Sequence, residues 1–179
     1  MATCLRKVAL AALLCVGMVA SAAANIIVYN ITLAGTQSVP SNSSTASGSA
    51  TVTVDDILNT VSVALSFTGL TGGNASAAHI HCCVATNANG PVVIPFTGFP
   101  SATSGTYSNT FTGVSATNIA GIEAGLAYIN IHNAGFPGGE IRGNILAIPE
   151  PASLWLLSVA ALALLAIRRR ENRRGELPF

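Results

Sequence analysis

The chain has 179 residues and a formal net charge of +1, with 8% charged residues and 6% aromatic ones. The balance is uneven: between Asn25 and Ile148 the single Lys or Arg is Arg142, set against Asp55, Asp56, Glu123 and Glu140, a formal net of −3. A stretch with one cation argues against nucleic acid, whose binding draws its affinity from neutralised phosphates, and leaves Ser, Thr, Asn and Gly to keep the surface soluble.

The first element is a targeting segment. Arg6-Lys7 is a short basic start, Val8 to Ala20 is apolar, and Ala22-Ala23-Ala24 offers a small-residue cleavage site. Residues 1–24 therefore read as a signal peptide for Sec export and signal peptidase. Leu14 before Cys15 argues against a lipoprotein site. Cys4 and Cys15 leave with the leader, so the mature chain carries the adjacent pair Cys82-Cys83 into an oxidising compartment. Residues 25–148 make one domain, long enough to bury a core.

Strand patterns dominate that domain. Ile27, Tyr29, Ile31 and Leu33 alternate with polar or small residues, and Ser38 to Ser49 reads as a loop. Thr51 to Val54 continues the period of two up to a turn at Asp55-Asp56. Val61, Val63, Leu65 and Phe67 form a longer run stopped by Gly69 and Gly72-Gly73. Short strands follow at Ala78–Cys82, Pro91–Phe96, around Tyr107–Phe111, at Ala127–His132 and at Glu140–Leu146. Ile119, Ile122 and Glu123 have helical spacing instead, which predicts a short helix over Thr117–Gly125 capped by Ser115 or Thr117. Short strands separated by Gly, Pro and Asn turns predict an all-β sandwich or barrel.

The tail is a second targeting segment. Pro149 and Pro151 break the chain. Ala152 to Ile167 is then uncharged, and Arg168-Arg169-Arg170 stops it, with residues 175–179 as a short end. Sixteen helical residues rise roughly 24 Å, short of the roughly 30 Å hydrocarbon core. Arg168 can snorkel across part of the deficit, and Trp155 suits the opposite interface. Residues 152–167 are expected to form one transmembrane helix, with the arginines cytoplasmic and the domain across the membrane.

All three histidines fall in the domain. On a strand, His79 and His81 share a face, and Cys83 joins them if the strand continues. Imidazole and thiolate suit zinc or copper. The candidate ligand set is His79, His81 and His132 with Cys83 or Glu140. The competing reading keeps the histidines as hydrogen-bonded structural groups. Arg142, the domain's lone permanent cation, is either a structural lock on the last strand, paired with Glu140 or with backbone, or an anchor for an anionic ligand. Cys82 and Cys83 are open to a vicinal disulfide, pairing between chains, or free thiols. No nucleophile–base spacing, phosphate loop or catalytic carboxylate pair stands out, so no enzymatic activity is expected. Three imidazoles are too few for a dismutase-type pair of metals.

Two resemblances add to this reading. Pro149-Glu150-Pro151, the apolar run and Arg168–Arg170 resemble the PEP-CTERM sorting tail of exported bacterial proteins. The resemblance implies a Gram-negative-type maker of extracellular polysaccharide. In such cells an exosortase-type membrane protease cuts near the Pro-Glu-Pro, so residues 149–174 are a disposable anchor and the product ends at the cell surface or outside. Ala78-His79-Ile80-His81, Asn89-Gly90-Pro91, Ala127–His132 and Gly138-Gly139-Glu140-Ile141-Arg142-Gly143 are similar, in order, to the CHRD domain. That family implies an immunoglobulin-like or superoxide-dismutase-like Greek-key β-sandwich with no established activity. Cys82-Cys83 stands where members commonly have Gly-Pro. The expected role is a structural or binding component of the surface or the polysaccharide matrix, with surface proteins or extracellular polysaccharide as partners. A zinc- or copper-binding protein using the His-x-His strand is the alternative.

Overall fold

Period-two alternation builds three long antiparallel strands, β1 (Ile26–Ala34), β2 (Ser47–Asp55) and β3 (Thr60–Thr68). The structure is a computed structural model that describes residues 26–148, 159 and 161–169. Tyr29, Ile31 and Leu33 of β1, Val52 and Val54 of β2, and Val61, Val63, Leu65 and Phe67 of β3 all enter one core. Their intervening neighbours face outward. Tyr29 lies opposite Val52, and Val52 opposite Val63. A slip of one residue would turn the whole apolar set to water, so burial itself fixes the register. The Asp55 carboxylate folds the β2–β3 turn by accepting from the N–H groups of Ile57 and Leu58.

The chain then forms β4 (Ala75–Cys82), β5 (Val92–Pro95) and β6 (Gly105–Thr112), the helix α1 (Ala116–Glu123), and finally β7 (Ala127–Asn133) and β8 (Ile141–Ile145). Ser115 caps α1 by accepting from the Asn118 N–H, and Ile119 and Ile122 seat the helix on the core. The strand order is β5-β4-β7-β8-β1-β2-β3-β6. A single register pair, Ala34 opposite Arg142, joins β1 to β8. The sheet therefore divides into two four-stranded halves, and the shared core draws residues from both. At the other seam Phe96, just beyond β5, stacks on Tyr107 and Phe111 of β6 at 5.0 and 5.8 Å between ring centroids.

The all-β sandwich expected from the sequence is the fold observed. Local bounds differ. β4 starts at Ala75, three residues before the predicted Ala78, because small alternating residues there pair with the end of β7. It stops at Cys82, since Cys83 takes a φ of 91°. Residues 161–169 are helical, and no helix among the described residues is long and apolar enough to cross a membrane. The leader at 1–24, the Pro149-Glu150-Pro151 motif, Arg170 and the end at 175–179 lie outside the described residues.

Candidate metal centre

One half-sheet is covered on both faces. In β7 the core side holds Ile129 and Ile131, yet the outward residues Tyr128 and Asn130 are buried as well. Two loops roof this outer face. Residues 83–91, between β4 and β5, are held by Arg142, whose guanidinium donates to the Thr86 and Ala88 carbonyls at 2.9 and 3.0 Å and to Asn89 Oδ1. The Gly90 N–H donates to the Tyr128 hydroxyl in the same loop. Residues 134–140, between β7 and β8, are held by Asn130 Nδ2 on the Gly138 carbonyl at 3.0 Å.

The three histidines sit in this polar layer. His79 and His81 are two apart on β4 and share its outer face. The β4–β7 pairing sets Ala77 opposite His132, which brings the third ring diagonally beside them. Ring centroids are 5.2 Å apart for His79–His132, 5.6 Å for His79–His81 and 6.0 Å for His81–His132. One nitrogen of each ring falls within 4.8 Å of the others.

The roof sets the tautomers. His81 Nδ1 lies 2.8 Å from the Gly90 carbonyl, and His132 Nδ1 lies 2.9 Å from the Pro137 carbonyl. A carbonyl can only accept, so each Nδ1 carries the proton and each Nε2 keeps its lone pair. Those two Nε2 atoms and His79 Nδ1 are buried with no hydrogen-bond partner. Burial lowers the pKa of His79, and the neighbouring His132 and His81 lower it further. Burial also lowers that of His81 despite its bond to Gly90, with His132 and Arg142 acting in the same direction as burial. Both rings are thereby held in the neutral form that binds metal. Tyr128 stacks parallel to His81 at 4.7 Å, and the Arg142 guanidinium lies 3.4 Å from the centre of the Tyr128 ring.

Two of the sequence candidates go elsewhere. Glu140 is fully buried, but its carboxylate accepts from Ser44, Thr71, Gly72 and Asn133. It sits just before β8 begins, and it and Arg142 each have their own hydrogen-bond network. Cys83 is joined to Cys82 in a disulfide, which removes it as a thiolate ligand. Both sulfurs lie against Gly121 of α1, on the core side rather than the histidine side of β4. The Arg142 guanidinium is spent on the Thr86 and Ala88 carbonyls, on Asn89 and on the face of Tyr128. Tyr128 and Asn130 are not among the residues singled out from the sequence. The signal was present: Tyr128, Asn130 and His132 alternate with Ile129 and Ile131, so the strand has one apolar face and one polar face. Arg168 and Arg169 end the described helix far along the chain from this layer.

An exported all-β domain with a roofed, histidine-bearing polar layer over one half-sheet is the class these features define. The chain belongs to the CHRD-domain family, whose model matches residues 29–145. A PEP-CTERM protein-sorting motif matches residues 147–170. No curated protein and no solved structure matches the chain. The sorting motif marks an exported protein, recognised by an exosortase membrane protease and anchored transiently in the membrane before processing.

Proposed function

We propose that this exported domain is a metal-binding protein that holds one late first-row transition-metal ion, zinc or copper, through His79 Nδ1, His81 Nε2 and His132 Nε2. One observation carries the reading: three imidazole rings each bring a nitrogen within 4.8 Å of the others, and each of the same rings has a buried nitrogen without a hydrogen-bond partner. Each buried polar atom without a partner costs about 1–3 kcal/mol, and a cation relieves all three at once. A bridging water has two protons for three nitrogens. Two of the ligands are already oriented by carbonyls on their far nitrogens, the arrangement that fixes metal-binding histidines. In this reading the module is a binder and not an enzyme, and its ligand is an ion where a matrix component would bind polymer.

The test is elemental analysis of the exported chain purified without a histidine tag, beside His81→Ala and His132→Ala. The expected result is one zinc or copper per chain, lost in both variants, with an unfolding midpoint that falls on chelation. Absence of stoichiometric metal after loading with either ion refutes the reading.

A further inference from the structure

We infer that the three-histidine centre selects monovalent copper, Cu(I), over divalent ions; this rests on the metal-binding reading above and adds the charge and coordination number of the ion. The first argument is charge. All three ligands are neutral imidazoles, and no described carboxylate joins their cluster. Glu140, the buried acid of this half, is saturated by donors from Ser44, Thr71, Gly72 and Asn133. A fixed positive charge acts on the cluster from close by. Arg142 is 1% exposed and stands over Tyr128, which in turn stacks on His81. β7 lies between β4 and β8, so Tyr128 separates His81 from the guanidinium. An ion entering the cluster keeps its full charge in a buried setting beside another cation. The penalty for burying a charge grows with its square, so a divalent ion suffers about four times the desolvation of a monovalent one, and twice the repulsion from Arg142.

The second argument is coordination number. Each ring has a buried nitrogen without a partner, and the three rings bring one nitrogen apiece within 4.8 Å of the others. Zinc in a three-histidine set takes a water as fourth ligand, and Cu(II) favours square-planar or tetragonal sites. A set of three neutral nitrogens with no fourth protein donor among the described residues suits a d¹⁰ monovalent ion, which is satisfied with three donors. Imidazole is not a soft ligand, so the selectivity comes from charge and enclosure and not from ligand softness.

The experiment uses the full exported chain, purified without a tag and free of metal. Cu(I) affinity is measured anaerobically with ascorbate against a chromogenic Cu(I) chelator, and Zn(II) affinity against a fluorescent zinc chelator. The expected result is one Cu(I) per chain, bound at least about tenfold more tightly than Zn(II), a modest allowance for one extra unit charge near a guanidinium at an effective dielectric of about 20. Copper K-edge absorption is expected to show three nitrogen neighbours and no fourth ligand. Zn(II) binding as tight as Cu(I), or a four-coordinate copper, overturns the inference while leaving the metal-binding reading in place. Binding of neither ion sinks both. His132→Ala, at a half-exposed position on β7, is the control that ties the signal to this cluster.

Discussion

Replacing Glu140 by glutamine removes one charge and keeps the shape of the side chain. The carboxylate is 0% exposed, and Oε1 accepts from the Thr71 N–H and hydroxyl, each at 2.7 Å, and from Ser44 Oγ. Oε2 accepts from the Gly72 N–H at 3.2 Å and from Asn133 Nδ2. Burial by itself raises the pKa, but these donors outweigh it and hold the group at about 2, against an ordinary 4.5. A folded-state pKa below the unfolded one means that the fold favours the ionised form. The stabilisation is therefore complete above pH 4.5 and is lost as pH falls through that value toward about 2. At about 1.4 kcal/mol per pKa unit, it amounts to about 3 kcal/mol at neutral pH. Whichever oxygen it replaces, the glutamine amide N–H₂ faces a backbone N–H, that of Thr71 or that of Gly72, so the variant loses this stabilisation. Urea unfolding of both proteins is expected to show a gap of about 3 kcal/mol near about pH 7 that closes as pH approaches about 2. A gap that stays constant with pH, or one below about 1 kcal/mol at neutrality, refutes the reasoning.

Three further outcomes are expected. Gly121→Ala places a methyl group against both sulfurs of the Cys82–Cys83 disulfide, and thermal unfolding is expected to show a loss of about 1–3 kcal/mol from overpacking; an unchanged midpoint counts against the contact. Arg142→Lys keeps the charge but not the fork that reaches Thr86, Ala88 and Asn89, so hydrogen exchange in residues 83–91 is expected to accelerate, with a stability loss of about 2 kcal/mol or more. Metal affinity is expected to stay flat down to about pH 6.5 and to fall below it, because the pKa values of His79 and His81 are lowered and protons compete late; release that begins above neutrality contradicts that sign.

How much could be read before the structure depended on how local each feature is. Tyr29, Ile31 and Leu33, or Val61, Val63 and Leu65, announce their strands because one face is buried and the other is wet. That contrast is written directly into a period of two. The pairing of His79 with His81 was equally legible, since both lie on one strand. His132 entered the candidate set by chemistry alone; its place beside them depends on the β4–β7 register, a contact across more than fifty residues of chain. What draws Glu140 and Cys83 away from the histidines was hidden for the same reason. Their neighbours, Ser44 and Thr71 for one and Gly121 for the other, are brought in by loops and a helix that no spacing rule connects. The roof over β7 was hidden because its covered outer face is polar, so the strand keeps the alternation of a half-exposed one. Tyr128 and Asn130 look like ordinary solvent-facing residues until the loops close on them.

The last strand also sets the geometry of release. β8 ends at Ile145, and the sorting motif begins at residue 147. From Ile145 to Pro149 an extended chain spans at most about 14 Å. Ile145 pairs with Ala127, and Ala127 with Cys82, so the disulfide lies at the same pole as this exit. The sorting motif therefore follows within two residues of the last strand, and it leaves the domain at the disulfide-bearing pole.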